Sequence, residues 1–355
     1  MPERTAPAPA ELRAALTRWG LDEAPRARLT GDVSPRQYHR VWLRGDATAV
    51  AMVTPLERLA QMHDWLAIRD WLARWQVPAP AVRATAPDLG VVLLEDIGDR
   101  LLTQVTNADT ADAWYRRTLE HLVRIEGALR EEIGAVTPAH TRDLSEERLH
   151  WELRRFRKVV AAGARELDDA ELAAWKAGED ALVATLRAAP SVWMHRDLHA
   201  RNLLVHGREA VWIDFQDAMR GPWLYDLASL LLDPYAALDA ERREALRQFY
   251  LRHSTPRTRA VEPLWQACVV QRLAHCAACY VWVADQLGND TYLRYLPFTF
   301  THLRAALAAC APAAPLSRVM ASRWDTLASR AAAPLASAPL SRRRPDQPQG
   351  ALARV

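Results

Sequence analysis

The sequence is poor in cysteine, and its few cysteines do not form a metal-binding pattern. All four, Cys268, Cys276, Cys279 and Cys310, fall in one C-terminal region that is predicted to be helical. Cys276 and Cys279 have C-x-x-C spacing, but no second Cys pair or nearby His pair completes a zinc site. We therefore expect these cysteines to be small core residues.

The sequence is also expected to lack long apolar segments. The first residues, Met1 to Arg4, lead into an Ala/Pro stretch rather than the apolar run that a secretion signal needs. No segment is expected to span a bilayer. We therefore predict a cytoplasmic protein without a membrane partner.

Charge is nearly balanced, with a formal net charge of +3 over 355 residues. Residues 313–355 contain seven Arg and two Asp, so this tail carries +5 and the preceding part carries −2. The main part therefore lacks the basic surface of a nucleic-acid-binding protein, and no nucleic acid or obligate protein partner is expected. The tail, with Arg342 to Arg344 as its only dense basic cluster, is expected to be disordered.

Half of the residues are hydrophobic, which is enough for a large core and two lobes. Up to residue 97 the order of predicted elements is β-β-β-α-β-β after a short helix, and beyond Gly98 helices dominate. The predicted strands are 27–30, 37–43, 48–53, 81–85, 90–94, 192–194 and 210–213; the predicted helices are 11–19, 59–75, 111–129, 146–163, 169–188, a segment from 225, 240–252, 263–287 and 297–310, with one weak helix at 317–329. We predict an α+β fold with a small, mainly β N-terminal lobe (1–97), a five-stranded antiparallel sheet plus helix. A larger helical lobe (98–312) and an Ala/Pro/Arg-rich tail (313–355) follow.

The most specific motif, H-R-D-x-x-x-x-N, runs from His195 to Asn202. An Asp-Phe dipeptide begins at Asp214, twelve residues after the asparagine, and a β-like run flanks each segment. This spacing matches the catalytic loop and the metal-binding Asp of protein kinases. The motif predicts phosphoryl transfer with ATP and Mg²⁺ as cofactors.

Each residue type in this motif suits a step of phosphoryl transfer. Asp214 and Asn202 offer the oxygen ligands that Mg²⁺ prefers, and Asp197 is placed to orient the acceptor hydroxyl and take its proton. His195 is predicted to brace the loop, and Asp226 to cap an apolar helix or brace the same loop. A lone Asp or Asn is usually a turn or cap residue, but the combined spacing favours the catalytic interpretation.

Lysine is missing where protein kinases use one. The third predicted strand has none, and the only two lysines, Lys158 and Lys176, lie in the second lobe. Protein kinases use a strand-three lysine to pair the α- and β-phosphates. We predict that Ser34, Arg36 and the backbone of the 31–36 turn hold the phosphates instead, with an ordinary hairpin as the alternative interpretation.

Together with the Val77-Pro78-Ala79-Pro80 segment and the hinge-like residues 93–98, these motifs resemble the aminoglycoside phosphotransferase and choline kinase superfamily. The resemblance covers about residues 10–310. It implies a bilobal protein-kinase-like fold and a hinge, formed by Glu95, Asp96 and Ile97, against which ATP binds.

A narrower resemblance, to the anomeric kinases that phosphorylate N-acetylmuramate and N-acetylglucosamine in bacterial cell-wall recycling, rests on three stretches. These are Gly31-Asp32-x-Ser34-x-Arg36-x-Tyr38-x-Arg40, Asp214 to Ala218 with Gly221-Pro222 and Tyr225-Asp226-Leu227, and Gln271-Arg272 with Tyr292 to Pro297. That family is similar in lacking the strand-three lysine. The resemblance implies transfer to the C1 hydroxyl of a small-molecule sugar, with Glu152, Arg155 and Arg272 as candidate acceptor contacts. For each of these three, an ordinary salt-bridged helix position is the alternative.

Two other functions stay open at this point. A kinase for an aminoglycoside or choline would need an acidic or aromatic pocket for its cationic acceptor, and the fourteen tryptophans could supply one. The missing lysine suggests a non-catalytic pseudokinase, although the intact Asp197, Asn202 and Asp214 argue against it.

Overall fold

The first part of the computed structural model is a five-stranded antiparallel sheet. The structure describes residues 8–29, 35–105, 111–131, 137–254, 258 and 260–332. The strands are β1 (Arg26–Leu29), β2 (Gln37–Trp42), β3 (Thr48–Val53), β4 (Val82–Ala86) and β5 (Val91–Glu95), in the spatial order β1-β2-β3-β5-β4. The five predicted strands and their antiparallel arrangement are thus confirmed, with ends that differ by at most one residue.

Two helices, α1 (Ala10–Arg18) and α2 (Leu59–Arg74), cover opposite faces of this sheet. Because successive side chains of a strand point to opposite faces, β5 supplies both layers. Leu93 packs in the cluster that contains Leu12 of α1, whereas Leu94 packs in the cluster that contains Ile68 of α2. The α2 layer is continuous with the core of the second lobe.

The remainder of the chain is mainly helical, which confirms the α+β prediction. Its helices are α3 (Ala111–Glu131), α4 (Pro138–Thr141), α5 (Glu146–Phe156), α6 (Ala162–Ala164), α7 (Asp169–Arg187), α8 (Tyr225–Leu231), α9 (Ala240–His253), α10 (Val261–Leu287), α11 (Leu296–Ala309), α12 (Ala314–Ala321) and α13 (Trp324–Ala332). The α5–α6 segment is one near-continuous helix with a π-helical turn at Arg157–Ala161. Local caps explain several of these starts: the Ser145 hydroxyl accepts from the Arg148 N–H at α5, and Asp168 forms a capping box at α7.

Two short antiparallel ribbons interrupt the helices and carry the motif segments. Strand β6 (Ser191–Met194) pairs with β9 (Met219–Pro222), and β7 (Leu203–His206) pairs with β8 (Glu209–Trp212). β7 and β9 were not predicted from the sequence. The β7–β8 turn uses Gly207 at φ +58°, a conformation that glycine adopts readily. This pairing places residues 195–202 beside residues 213–218.

Aromatic stacking joins the two lobes behind these segments. Trp65 of α2 stacks on Phe215 with ring centroids 5.1 Å apart, and Trp71 of the same helix stacks on Trp193 of β6 at 5.2 Å. Trp193 in turn stacks on Trp212 of β8 at 6.4 Å. These tryptophans are buried core residues, so they do not form a pocket for a cationic acceptor.

The prediction of a disordered tail is wrong for residues 314–332, which form α12 and α13. Leu316 packs against α7, and the fully buried Arg323 donates to Glu171 at 2.8 and 3.1 Å. The Ala/Pro-rich composition favours disorder, but Leu316, Val319 and Met320 form an apolar face on α12. Residues 333–355, including the Arg342 to Arg344 cluster, lie outside the described residues.

Helix α10 is the central helix of the second lobe. By length and composition alone it could cross a membrane, with a mean hydropathy of 1.3, but 78% of that apolar window is buried inside the protein. The sequence analysis predicted a helix here, but its expectation that no segment is apolar enough to span a bilayer was wrong for this one by composition alone. Cys268 and Cys276 of α10 and Cys310 are buried, as predicted for core residues, whereas Cys279 is half-buried.

Candidate active site

The loop between β6 and β7, residues 195–202, is anchored by a buried carboxylate. Asp226, at the start of α8, accepts the backbone N–H of His195 at 2.5 Å and that of Arg196 at 3.0 Å. Arg196 has φ +77°, which is unusual for a residue with a side chain, and these two hydrogen bonds help to hold it there. The structure thus places Asp226 as a brace of the loop.

His195 links this loop to the segment that carries Asp214. Its Nε2–H donates to the carbonyl of Ile213 at 2.9 Å, and the Ile213 N–H donates to the carbonyl of Asn202 at 3.0 Å. Burial lowers the pKa of His195, although the charges of Asp197 and Asp214 oppose this shift. A neutral, fully buried imidazole in this position is a structural link between the two segments.

A second buried carboxylate, Asp233, braces the far end of the loop and was not identified from the sequence. Its oxygens accept the N–H of Ala200 and the N–H of Tyr235, each at 2.8 Å. Burial raises the pKa of Asp233 to about 6 and that of Asp226 to about 7. Its position just beyond the apolar helix α8 is the local feature of the sequence that could have indicated this role.

Asp197 lies on the open side of the loop and pairs with Arg272 of α10. The Arg272 Nη1 donates to Asp197 Oδ1 at 2.7 Å and lies 3.4 Å from the carbonyl of Arg196. Burial favours the neutral acid, but the charges of Arg272 and Arg196 outweigh it and hold the pKa of Asp197 well below its usual range. Asp197 is therefore an ionised carboxylate with one oxygen paired.

Asn202 and Asp214 flank the same space. The Asn202 amide N–H donates to the carbonyl of Asp197 at 2.9 Å, which leaves the Asn202 Oδ1 pointing away from that bond. Asp214 has φ +64° and accepts from the Gln216 amide at 2.8 Å. Desolvation by the surrounding protein raises the pKa of Asp214. The negative charge of nearby Asp197 adds to this shift. Two neighbouring carboxylates and an amide oxygen form a donor set that suits a divalent cation.

On the first lobe, Arg36 and Tyr38 lie near this donor set. The pKa of Tyr38 is raised, first by burial, while the charge of Arg36 lowers it and that of Asp214 raises it. Arg36 is buried and donates from Nη2 to the carbonyl of Gln61 at 3.4 Å. Ser34 and most of the 31–36 turn lie outside the described residues, so the predicted phosphate role of Arg36 stays a prediction.

The hinge between the lobes is fixed by Arg40 of β2. Its guanidinium binds both carboxylate oxygens of Asp96, at 2.6 and 3.1 Å, and both of Asp99, each at 2.8 Å. Glu95 ends β5, and Ile97 is buried. The structure therefore places Asp96 in a structural ion pair. Asp99 was not identified from the sequence.

Glu152 of α5 is buried and fully engaged by protein groups. Its Oε1 accepts from Arg148 at 3.0 Å and Arg196 at 3.3 Å, and its Oε2 accepts from Gln271 at 3.0 Å. Burial opposes ionisation, but the charges of His275, Arg196 and Arg148 outweigh it and lower the pKa of Glu152 to about 2. This placement favours a role in holding Arg196 rather than direct contact with an acceptor.

Arg155, one turn further along α5, lies between two aromatic rings. Its Cζ is 5.4 Å from the ring centroid of Trp151 and 5.1 Å from that of Trp282, and Nη1 lies 3.6 Å from the Cys279 sulfur. The three acceptor candidates therefore have different surroundings. Arg272 contacts Asp197, Glu152 braces the loop, and Arg155 of α5 contacts Cys279 and Trp282, further along α10 than Arg272.

A family model described as the phosphotransferase enzyme family matches residues 26–264. An N-acetylmuramate/N-acetylglucosamine kinase from Pseudomonas aeruginosa is 28% identical over 318 residues, which are 86% of this chain and 90% of that protein. The kinase of the same name from Neisseria meningitidis is 29% identical over 302 residues, 80% of this chain and 86% of that protein.

Two solved structures show the same fold at low sequence identity. ADP-bound aminoglycoside phosphotransferase APH(2'')-Ib superposes with a TM-score of 0.60 at 14% identity, covering 85% of this chain and 99% of that one. A choline/ethanolamine kinase family protein from Mesorhizobium loti gives a TM-score of 0.56 at 18% identity, covering 90% and 98%.

Proposed function

Because this chain belongs to the phosphotransferase enzyme family, we propose that it is an ATP-dependent kinase that phosphorylates the C1 hydroxyl of N-acetylmuramate and N-acetylglucosamine. Membership confirms the resemblance predicted from the sequence. The named substrates of the curated relatives, which cover most of this chain at 28 and 29% identity, support this choice of acceptor.

The arrangement of Asp197 carries the proposal for catalysis. One of its oxygens is held by Arg272 at 2.7 Å, so the other can accept a hydrogen bond from an acceptor hydroxyl and take its proton. A hemiacetal hydroxyl is more acidic than an ordinary alcohol. Arg272 lowers the pKa of Asp197 and so makes it a weak base. A weak base is adequate for the more acidic C1 hydroxyl.

Asp214 and Asn202 are proposed to bind magnesium. Mg²⁺ commonly takes one or two protein ligands and completes its shell with substrate phosphates and water. No cluster of three or more His, Cys, Asp or Glu side chains suited to a metal occurs among the described residues, which is compatible with this two-ligand arrangement. A cation bound there would neutralise charge on the transferring phosphate.

Charge around the acceptor side argues for a neutral or anionic acceptor. Four guanidinium groups lie along α5, the loop and α10, those of Arg148, Arg155, Arg196 and Arg272. Three of them pair with Glu152 or Asp197, so these carboxylates are already neutralised by arginine and are poor sites for cationic acceptors such as aminoglycosides and choline. An amino sugar with an N-acetyl group carries no positive charge and needs no such carboxylate.

ATP is proposed to bind between the lobes, with its adenine against the backbone of Glu95 to Ile97 and its phosphates near Arg36. Accordingly, residues 1–97 form the proposed nucleotide lobe and residues 98–312 the acceptor lobe. Use of ATP as the phosphate donor favours a cytoplasmic location.

The test is an acceptor screen with an ADP-release assay, followed by phosphorus NMR of the product. We expect turnover of both N-acetyl sugars and a C1 phosphate, and no turnover of kanamycin or choline. Failure on both sugars would remove the proposed acceptors.

The Asp197→Asn variant distinguishes an active kinase from a non-catalytic pseudokinase. General-base catalysis contributes about 10²–10⁴-fold, so kcat should fall by that factor while nucleotide affinity changes little. Equal turnover by the variant and the wild type would contradict a catalytic role for Asp197.

A further inference from the structure

The Arg155 guanidinium has a buried nitrogen that lacks an acceptor within the described part of the chain. Arg155 is 9% exposed, and no described group accepts a hydrogen bond from its Nη2. The rings of Trp151 and Trp282 stabilise its charge through their faces, but a ring face does not satisfy an in-plane N–H. Buried donors in native proteins nearly always have partners, so a water molecule or a ligand group is the expected partner of this one.

The side chains that contact the Arg155 guanidinium are themselves partly exposed to solvent. The three side chains around it, Trp151, Trp282 and Cys279, are each only half-buried. A small anionic group that approached Arg155 would therefore meet these partly exposed side chains and not the fully buried core.

The position along α10 relates Arg155 to the catalytic base. Arg272, which binds Asp197, and Cys279, which contacts Arg155, are seven residues apart on one face of this helix. Two helical turns span about 10 Å. Between them, buried His275 lies 3.6 Å from Glu152 and 3.5 Å from the Cys279 sulfur, so polar side chains connect the surroundings of the two arginines. A hexose that presents C1 to Asp197 and bears a short acidic substituent has comparable length.

The chemistry of the guanidinium selects the group that it would bind. A planar guanidinium pairs well with a carboxylate, and such charge-assisted bonds are stronger than neutral ones. N-acetylmuramate bears a carboxylate on its lactyl ether, whereas N-acetylglucosamine has none. We propose that Arg155 binds the carboxylate of the acceptor and thereby sets the preference for carboxylate-bearing over neutral amino sugars. This inference rests on the proposed function.

The test compares kcat/KM on the two sugars for the wild type and for Arg155→Met, which keeps an unbranched side chain between the rings. We expect the loss in kcat/KM to be about tenfold to a hundredfold greater for N-acetylmuramate than for N-acetylglucosamine. Arg155→Lys, which keeps the charge, should recover part of that difference. Equal losses on both sugars would overturn the inference.

Arg154→Met is the matched control on the same helix. Arg154 is exposed and approaches only Glu179 in the described contacts, at 3.8 Å. Its ratio of kcat/KM values for the two sugars should match the wild type. A shift as large as that of Arg155→Met would overturn the inference, because general helix charge would then explain both.

A measurement on the unaltered enzyme does not depend on the folding of any variant. Calorimetric titration should give at least tenfold tighter binding for N-acetylmuramate than for its carboxamide, which differs only at the carboxyl group. Equal affinities would overturn the role of Arg155. If the wild type turned over neither sugar, the proposed function would fail by itself, whereas turnover of both with equal binding would leave the function intact and reject the carboxylate site.

Discussion

Arg272 and Asp197 form an ion pair across 75 positions of the sequence, with the Arg272 Nη1 2.7 Å from the Asp197 Oδ1. Arg272 is buried on α10, whereas Asp197 lies at the open edge of the loop. The pair both orients the carboxylate and keeps it ionised.

Replacement of Arg272 by Met should therefore change the pH profile as well as the rate. With that positive charge removed, the pKa of Asp197 rises, so activity that requires its ionised form is lost at a higher pH than in the wild type. We expect the acidic limb of kcat/KM for N-acetylglucosamine to move upward and kcat to fall. Arg272→Lys should restore part of both. An unchanged acidic limb in Arg272→Met would show that Arg272 does not control Asp197.

Asp214→Asn should weaken the response to magnesium. The substitution removes a charged oxygen ligand and retains the size of the side chain, so half-maximal activity should require at least about tenfold more Mg²⁺. Asp143→Asn, at a carboxylate that pairs with Arg187 away from the loop, is the control. An identical magnesium titration for Asp214→Asn and the wild type would contradict the assignment.

The buried Asp226 predicts a specific pH dependence of stability. Its pKa of about 7 lies above the ordinary value of 3.8, so the folded state retains a proton that the unfolded chain has already released. The stabilisation is complete below about pH 4 and is lost as the pH rises towards 7. The free energy of unfolding from urea titrations should show a shallower decline over this window in Asp226→Asn than in the wild type.

Asp226→Asn should also lower the stability at every pH. The amide N–H₂ would face one of the two backbone N–H donors and leave it unpaired, at a cost of about 1–3 kcal/mol. Asp70→Asn, at an exposed carboxylate, should alter neither the slope nor the stability. Asp233 shifts in the same direction, so part of the slope should remain; an unaltered slope in Asp226→Asn would assign the titration to other groups.

Gly178 provides a test of the docking of α12. Ala is usually better than Gly in a helix by about 1 kcal/mol. Here a Cβ would lie 2.2 Å from Leu316 Cδ1 and 3.0 Å from the Leu316 nitrogen, and such overpacking costs about 1–3 kcal/mol. Gly178→Ala should therefore destabilise the protein in urea unfolding.

A double-mutant cycle with Leu316→Ala identifies the cause. The single Leu316→Ala change should cost about 2–5 kcal/mol because the side chain is buried. In that background Gly178→Ala should cost less than in the wild type, with a coupling energy of about 1 kcal/mol or more. Strict additivity, or stabilisation by Gly178→Ala alone, would show that α12 does not pack as described.

Local patterns predicted most of the fold. The alternating strands of the first lobe and the long amphipathic helices were visible because their periodicity extends over whole elements. The four-residue strands β7 and β9 were missed because so few residues give no clear period. Only one weak helix was predicted at 317–329, where the structure has α12 and α13, because the Ala/Pro/Arg composition favours disorder although Leu316, Val319 and Met320 recur at helical spacing.

For the candidate site, too, the sequence predicted short-range features but not long-range contacts. The spacing of Asp197, Asn202 and Asp214 is a short-range signal, whereas the partners that position them come from distant parts of the chain. Gln271 reaches Glu152 across 119 positions, and no local pattern reports such a pairing. The sequence alone could therefore name Arg155 and Arg272 as candidates without separating their positions.

The clamp that Arg40 forms on Asp96 and Asp99 also limits how the cleft can open. One guanidinium holds the last residues of the first lobe and the first residues of the second against the same strand. Residues 96–99 are therefore expected to move with the sheet if the lobes rock. If ATP binds against Glu95 to Ile97 as proposed, its release would then depend on displacement of the chain that follows Asp99.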